Sequence, residues 1–308
     1  MKSRDAKFVM GIDFGSTTSK TVILDRAGNM VASSIAHKGS VSNDGARISM
    51  AEALTKAGIT EKDIARAVST GYGRRMLDIA DKSYTEITCH ARGAVHLVPD
   101  ARLVIDIGGQ DSKVIAVDAN GLVEQFAMND RCAAGTGKFL EALARAVNVQ
   151  LEEMGPMAMT ATETLSISNM CATFAETEVV ALLAEGKPKH DVLGAVHAAI
   201  ASRTVGLVAR VGKREPCVMT GGVAKNVAAV HHIEAALGIK LHLPPDPQIA
   251  GALGAALFAL DEISAPTEAD DDDVIDAGMK DAACGTPTCT ATPKPVATEQ
   301  VISGPVRA

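Results

Sequence analysis

Short apolar runs alternate with longer segments of helical period along residues 1–264 of the chain. The apolar runs predict strands over 8–14, 20–25, 65–70, 102–107, 113–117 and 216–220. The helical period predicts helices over 45–57, 74–80, 86–97, 136–148, 173–185, 190–212, 223–236 and 249–262. Alternation of this kind predicts an α/β protein in which helices flank mixed sheets.

The sequence of one predicted pair of strands occurs twice in the chain. The stretch "GIDFGSTTSK" at 11–20 returns as "VIDIGGQDSK" at 104–113. At an offset of 93 residues, the matched positions are Ile12, Asp13, Gly15, Ser19, Lys20, Asp25 and Gly28 with Ile105, Asp106, Gly108, Ser112, Lys113, Asp118 and Gly121. Each copy predicts a β-hairpin that bends at an Asp-x-Gly turn, where glycine removes the steric cost. A single copy would favour a plain surface turn, whereas two matched copies favour a shared function.

The chemistry of the two turns is typical of a nucleotide site. Glycine-rich turns expose backbone N–H groups that bind phosphates. The expected phosphate-binding residues are Gly15, Ser16, Thr17, Thr18, Gly108 and Gly109. Asp13 and Asp106 end their strands, and a carboxylate beside a phosphate calls for a hard cation, most simply Mg²⁺. The sequence therefore predicts that two related halves close on one ATP, with Gln110 or Asp111 orienting the attacking water.

A third nucleotide element is "PCVMTGGVAKN" at 216–226. Its strand enters Gly221 and Gly222 before a helix, so the backbone there and Asn226 are expected to contact adenosine. The repeated turns join two strands, which excludes a Rossmann fingerprint between strand and helix. The stretch "CAAGTGKF" at 132–139 misses the Walker A pattern, because Cys132 replaces the first glycine and Phe139 follows the lysine.

Two cysteines, Cys132 and Cys171, each precede a predicted helix. A helix N-terminus favours thiolates and anionic clusters, although free cysteines are commonly just small buried residues. Two thiolates are too few for a [4Fe–4S] cluster, which takes four, so a two-fold dimer would complete the set. Zinc would accept the same four thiolates. Cys89 and Cys217 lie in apolar-patterned stretches and are expected to be core thiols.

Composition narrows the classes of partner and of cellular location that are compatible with the sequence. A net charge of −7 and a 3% aromatic content argue against nucleic acid as a partner. The sequence has no run of 18 uncharged apolar residues and no apolar region near the N-terminus, so we expect a cytoplasmic protein without a membrane span.

The sequence predicts two ATPase lobes and a tail. The N-terminal ATPase lobe covers 1–100, and helix 249–264 is expected to pack back on it. The C-terminal ATPase lobe covers 101–248 and contains the cysteine-bearing helices, and an acidic, Pro/Thr-rich disordered tail covers 265–308. Cys284 and Cys289 in that tail are expected to be plain thiols rather than a metal site.

Eight motifs occur in a fixed order between about residues 8 and 260. They are "GIDFGSTTSK", "STGYGRR", "CHARGA", "IDIGGQDSK", "MNDRCAAGTGKFLE", "CATFAETEV", "MTGGVAKN" and "GALGAALFA". Together they resemble the activator components of 2-hydroxyacyl-CoA dehydratases, and equally the ATPase subunits of ATP-dependent benzoyl-CoA reductases. The tail after residue 264 has no counterpart in this resemblance.

The resemblance implies the two-lobed fold of actin, sugar kinases and Hsp70-like ATPases. It implies a homodimer, or a heterodimer with a sister ATPase subunit, bridged by one [4Fe–4S] cluster on Cys132 and Cys171. It also implies ATP-driven transfer of one low-potential electron, taken from a donor such as ferredoxin or flavodoxin. The electron would pass to a dehydratase or reductase that carries its own iron–sulfur cluster. The alternatives are a small-molecule kinase of the same fold, in which the two cysteines would be idle, and a non-enzymatic ATP-dependent scaffold.

Overall fold

The computed structural model describes residues 6–37, 43–129 and 131–264, and the predicted tail with Cys284 and Cys289 lies outside them. The strands are β1 Phe8–Phe14, β2 Thr18–Asp25, β3 Met30–His37, β4 Ile64–Thr70, β5 Lys82–Ser83, β6 Leu103–Ile107, β7 Ser112–Val117, β8 Val123–Asn129, β9 Cys217–Thr220 and β10 Leu241–His242. The helices are α1 Asn43–Ala57, α2 Glu86–Leu97, α3 Gly137–Val147, α4 Leu151–Ala158, α5 Ala172–Ala184, α6 Lys189–Val211, α7 Val227–Leu237 and α8 Ala250–Ser264. Short 3₁₀ turns cover Glu61–Asp63, Arg74–Met76 and Gly222–Lys225.

The strands form two mixed sheets of the same topology. The first sheet has the order β3-β2-β1-β4-β5, and the second has the order β8-β7-β6-β9-β10. In each, the first three strands are antiparallel and the last two run parallel to the central one. The predicted hairpins are confirmed as β1–β2 and β6–β7, which pair Asp13 with Lys20 and Asp106 with Lys113.

Close packing against small residues fixes helix α8 on the first sheet. Helix α8 contacts β1, β2, β4 and helix α2. A Cβ added at Gly11 of β1 would overlap the backbone of α8, and one added at Gly254 of α8 would overlap the backbone of α2. These glycines let three elements approach to backbone contact, which excludes water from the apolar core between them.

Helix α6 is the central helix on the second sheet. It contacts β7 and β8 and also packs against α4 and α7. It is long and apolar enough to span a membrane by composition, but 67% of its most apolar window is buried inside the protein. That burial is typical of the core helix of a folded domain.

The observed elements correct several predicted ones. The predicted strands are confirmed with shifts of at most two residues at either end, and β3, β5, β8 and β10 were not predicted. The helix predicted over 74–80 is wrong, because only a 3₁₀ turn forms at Arg74–Met76 before the chain extends into Leu77. The helix predicted over 223–236 begins as the 3₁₀ turn Gly222–Lys225, and α7 starts at Val227. Helix α4 was not predicted because it contains Gly155 and Pro156, both poor helix formers.

Candidate functional site

A cavity of about 480 Å³ opens where the two repeated turns face each other. It brings together most of the residues predicted from the sequence, namely Asp13, Gly15, Ser16, Thr17, Thr18, Asp106, Gly108, Gly109, Asp111, Gly221, Gly222 and Asn226. Gln110 is exposed and is not among the lining residues. The volume lies in the range of pockets that hold small ligands.

The two turns have the same backbone geometry and touch each other. The N–H of Gly15 donates to the carbonyl of Thr18 at 3.2 Å, and the N–H of Gly108 donates to that of Asp111 at 2.9 Å. A Cβ added at Gly109 would overlap the hydroxyl of Thr17. The Thr17 hydroxyl is itself buried and makes no hydrogen bond within the described residues. The contact between the turns therefore leaves buried polar atoms that a ligand would satisfy.

The first repeated aspartate, Asp13, is buried but incompletely paired. Its Oδ2 accepts a hydrogen bond from Lys20 Nζ at 3.0 Å. Its Oδ1 is buried and has no hydrogen-bond partner among the described residues. Gly71 and Gly251 lie against the carboxylate, and a Cβ on either would come within 2.5 Å and 3.2 Å of its oxygens. Only glycine therefore fits at these two positions beside Asp13, whose Oδ1 remains an unsatisfied oxygen of a residue that lines the cavity.

The second repeated aspartate, Asp106, is completely surrounded. Its Oδ1 accepts from the Thr220 hydroxyl at 2.8 Å and lies 3.3 Å from His90 Nδ1. Its Oδ2 accepts from Lys113 Nζ at 3.1 Å. Burial alone would raise the pKa of Asp106, but the charges of His90 and Lys113 hold that pKa well below its usual value. Asp106 is therefore ionised, and each of its oxygens accepts one hydrogen bond.

A charge network behind Asp106 was missed by the sequence analysis. Lys113 is 1% exposed and lies 2.9 Å from Glu86 and 2.9 Å from Asp111 in addition to Asp106. Burial would lower the pKa of Lys113, but these three carboxylates raise it well above its usual value. Burial raises the pKa of Glu86, which lines the cavity at the start of α2. Burial would lower the pKa of His90, but the Asp106 carboxylate raises it.

The sequence carried a partial signal for this network. Lys113 belongs to the repeat, and Glu86 and His90 lie one helical turn apart within the predicted helix 86–97. The packing of α2 against β6 and β7 brings these side chains to Asp106 and Lys113, and no sequence pattern predicts that packing.

The opposite end of the cavity is apolar and helical. Helix α4 and the start of α7 line it through Leu151, Gly155, Pro156 and Val227. Leu151 and Val227, which both line the cavity, are large apolar side chains that are 37% and 54% exposed. Asn226 is the N-cap of α7, where its Oδ1 accepts from the N–H groups of Ala228 and Ala229 at 3.1 and 3.0 Å.

The two predicted cluster cysteines lie on one surface region. Cys171 is the N-cap residue of α5, and backbone N–H groups of Thr173 and Phe174 lower the pKa of its thiol. Cys132 lies in the loop before α3, four residues ahead of the N-cap Thr136, so it precedes the helix as predicted but does not cap it. Its thiol approaches the carbonyl of Met170, the residue before Cys171, at 3.6 Å.

The other described cysteines differ in environment. Cys89 and Cys217 are fully buried, and burial raises the pKa of each thiol to about 12. Their predicted place in the core is confirmed. Among the residues that the structure describes, no three His, Cys, Asp or Glu side chains form a metal-binding group.

The cysteine loop, which runs from Cys132 to the start of α3, is hydrogen-bonded directly to the second turn. The N–H groups of Gly137 and Lys138, at the start of α3, donate to the carbonyls of Gly108 and Gly109 at 2.9 and 2.8 Å. The Ser112 hydroxyl donates to the carbonyl of Gly135 at 3.0 Å. The segment between Cys132 and α3 thus follows the position of the turn that faces the cavity.

Comparison with known proteins identifies the family. Residues 10–259 match the model of the BadF/BadG/BcrA/BcrD ATPase family. The chain is 45% identical to the activator of lactoyl-CoA dehydratase from Anaerotignum propionicum, over 82% of this chain and 97% of that protein. It is 34% identical to one of the subunits of benzoyl-CoA reductase from Thauera aromatica, over 67% of this chain and 74% of that protein.

Solved structures agree with this assignment. The activator of 2-hydroxyisocaproyl-CoA dehydratase from Clostridium difficile with bound ADPNP has a TM-score of 0.80 and 40% identity, covering 85% of this chain and 100% of that one. A ROK family glucokinase from Streptomyces griseus has a TM-score of 0.51 at 12% identity over 82% of this chain and 99% of that one, which shows the fold alone. The predicted actin and sugar-kinase-like fold is confirmed. On these grounds, the chain belongs to the BadF/BadG/BcrA/BcrD ATPase family.

Proposed function

We propose that this protein is the ATP-hydrolysing activator of a 2-hydroxyacyl-CoA dehydratase. In this proposal it holds one [4Fe–4S] cluster between two subunits and passes single low-potential electrons to the dehydratase. The observation that carries the proposal is the direct hydrogen bonding between the second cavity turn and the segment that bears Cys132. That link joins a nucleotide site to a thiol pair within one chain.

The nucleotide end of the proposal rests on the shape and charge of the cavity. Glycines of both turns line the cavity together with Lys20, which supplies positive charge, and glycine-bearing turns of this kind bind anions through their backbone. The orphaned Oδ1 of Asp13, a residue that lines the cavity, offers a carboxylate oxygen to a hydrated Mg²⁺ ion. Held by Asp13, such an ion would supply positive charge to the phosphates. The exposed apolar side chains Leu151 and Val227 offer faces for the adenine base.

Two carboxylates near Lys113 are candidates for orienting the water that attacks the phosphate. Asp111 is held against Lys113, and Glu86 lines the cavity with a raised pKa. We place the attacking water beside Glu86 at the cavity wall, because a carboxyl of raised pKa accepts a proton more readily near neutral pH, and Lys113 holds Asp111 next to it. Gln110, exposed and outside the lining, is the weaker of the two residues predicted for this role.

The proposed [4Fe–4S] cluster is supported by the chemistry of the two thiols. Cys171 at the N-terminus of α5 has a lowered pKa, which favours the thiolate that ligates iron. The described residues of one chain bring two cysteines to this surface, and a [4Fe–4S] cluster needs four thiolates. Met170 and Phe174 beside Cys171 are 73% and 62% exposed, which favours burial of this region by a second subunit.

The degree of similarity favours a dehydratase system over a reductase system. The chain spans nearly the whole of the lactoyl-CoA dehydratase activator at 45% identity, against 74% of the benzoyl-CoA reductase protein at 34%. A kinase is disfavoured because the cysteine pair would then have no role. A donor such as ferredoxin or flavodoxin would supply the electron.

The proposal is tested by anaerobic purification followed by iron, zinc and sulfide analysis. We expect brown protein with one [4Fe–4S] cluster per two chains and Mg²⁺-dependent ATP hydrolysis. Cys132→Ala and Cys171→Ala should each abolish bound iron and weaken the dimer while the chain still binds ATP. Cys89→Ala and Cys217→Ala are the matched controls and should keep the iron. Colourless wild-type protein, zinc in place of iron, or iron that survives in the Cys132 and Cys171 variants would overturn the cluster assignment.

A further inference from the structure

A second cavity, of about 320 Å³, is lined by residues that lie close in the chain to both proposed cluster cysteines. Asn129 and Ala134 line it on either side of Cys132, and Asn169 lines it two residues ahead of Cys171. The other lining residues belong to β7, β8 and α6. The two cysteine-bearing segments therefore meet the second sheet and its central helix at this cavity.

Asn129, the last residue of β8, donates both of its amide hydrogens to the cysteine loop. Its Nδ2 donates to the carbonyls of Cys132 at 3.0 Å and Ala134 at 3.3 Å, which uses the two N–H donors that an asparagine side chain has. Its partner across the sheet is Ser112 of β7, whose hydroxyl donates to the carbonyl of Gly135 at 3.0 Å. Two paired residues of the sheet thus hold three carbonyls of the cysteine loop.

Asn169 holds the segment ahead of Cys171 in a similar way. Its Nδ2 donates to the hydroxyl of Ser202 on α6 at 2.7 Å. The next residue, Met170, presents its carbonyl to the thiol of Cys132 at 3.6 Å. Each cysteine-bearing segment is thus fixed by an asparagine that precedes its cysteine, and the two segments contact each other between these anchors.

The hydrogen bonds of Asn129 matter most because neither a helix nor a strand holds Cys132. Cys132 lies in an irregular segment, whereas the carbonyl of Cys171 accepts from the N–H of Ala175 in α5 at 3.1 Å. Residues that orient a metal ligand without touching the metal change metal affinity or activity by roughly 10–100-fold when they are substituted. Loss of the Asn129 amide should therefore disturb its cysteine more than loss of the Asn169 amide does.

We propose that Asn129 and Asn169 are positioning residues that hold Cys132 and Cys171 in the arrangement that ligates the shared cluster. Asn129 fixes the cysteine loop to β8, and Asn169 fixes the segment ahead of Cys171 to α6. Each amide acts through the backbone that carries its cysteine and is not itself a ligand. This inference rests on the proposed function and deepens it, because the presence of two thiols does not explain what holds them in place.

The test measures how fast the chelator bathophenanthroline disulfonate removes iron from anaerobically purified protein, together with the electron paramagnetic resonance spectrum of the reduced cluster. Asn129→Ala should release iron about tenfold faster than wild type and change the spectrum. Asn169→Ala should accelerate release to a smaller extent. Both variants should bind an ATP analogue as wild type does, because neither asparagine lines the nucleotide cavity.

Asn129→Asp separates hydrogen bonding from shape. The aspartate has the same shape but sets carboxylate oxygens against the carbonyls of Cys132 and Ala134, so iron release should be faster than in Asn129→Ala. Gln125→Ala is the matched control, because it removes an amide of the same strand whose Nε2 donates to the carbonyl of Arg210 at 3.1 Å and not to the cysteine loop. It should release iron at the wild-type rate.

Wild-type iron release in both alanine variants would overturn the positioning roles, as would an Asn129→Asp variant that retains iron better than Asn129→Ala. Equal acceleration in Gln125→Ala would also overturn them, since it would show a general loosening of β8. If Asn129→Ala fails to fold, Asn169→Ala gives the same comparison from α6. Wild-type protein without an iron–sulfur cluster would instead refute the proposed function itself.

Discussion

His197 on α6 is a fully buried histidine whose ionisation opposes folding. Its Nδ1–H donates to the carbonyl of Leu193 at 2.7 Å, which fixes the neutral tautomer. Burial lowers the pKa of this imidazole to about 4, against about 6.5 for the side chain in an unfolded chain. The folded state therefore resists a proton that the unfolded state accepts.

This residue predicts a pH dependence of stability with a definite sign. The contribution of neutral His197 is fully present above pH 6.5 and is lost as the pH falls toward 4, because only the unfolded chain binds the proton. Between pH 7.5 and pH 5 the free energy of unfolding of wild type should fall by about 2 kcal/mol more than that of His197→Gln. Urea unfolding at the two pH values measures this difference. Identical pH dependence in the two proteins would contradict it.

Other single residues show which parts of the site could be predicted from the sequence and which could not. Asp13 and Asp106 could be predicted because strand ends followed by glycine have a local signature. Gln110 was placed at the site by its neighbours in the chain, but its side chain is exposed and does not line the cavity. Glu86 and His90 reach Asp106 only through the packing of α2, and no local pattern encodes such a contact.

At the scale of elements, the start of α7 serves two purposes. Asn226 caps the helix through two backbone hydrogen bonds and also lines the cavity. Gly155 of α4 packs against it so closely that an added Cβ would come within 2.8 Å of its Oδ1. One side chain therefore caps the helix and lines the proposed nucleotide site, and two substitutions separate the two roles.

Asn226→Ala should lower the free energy of unfolding by about 1 kcal/mol, because the N-cap acceptor is lost. Asn226→Asp keeps an acceptor at the same atom and should remain within about 0.5 kcal/mol of wild type. The aspartate variant should nevertheless bind an ATP analogue more weakly, since an amide donor is replaced by a negative charge beside an anionic ligand. Urea unfolding and calorimetry measure the two effects. An aspartate variant with wild-type affinity would remove Asn226 from the nucleotide site.

The elements missed from the sequence share a physical cause. Strand β8 is exposed at Glu124, Gln125 and Phe126, so it lacks the buried apolar run that marks a strand. Strand β3 has small and polar residues and is likewise weak in pattern. Both are outer strands of antiparallel hairpins, where pairing with a strong neighbour rather than intrinsic propensity decides the structure. The predicted strands, by contrast, include the buried central ones.

At the scale of the whole molecule, the contact between the two turns decides how closely the two sheets can enclose a ligand. Gly109 of the second turn lies against Thr17 of the first, and the second turn is in turn bonded to the start of α3. A change in the separation of the turns would therefore reach both the cavity and the cysteine loop. The repeat in the sequence predicted two facing turns, but their direct contact depends on how the two sheets pack.

Gly109→Ala should hold the turns apart, because its Cβ would overlap the Thr17 hydroxyl. We expect the affinity for an ATP analogue and the rate of hydrolysis each to fall at least tenfold, with a change of only a few degrees in melting temperature, since Gly109 lies at the cavity rather than in the core. Gly206→Ala is the matched control, because a Cβ at that α6 position has no neighbour within 4 Å and alanine favours a helix by up to about 1 kcal/mol. If the turn contact is the cause, Thr17→Ala in the Gly109→Ala background should cost far less than it does in wild type. Additive losses in that double-mutant cycle would show that the two turns act independently and that their contact does not govern closure.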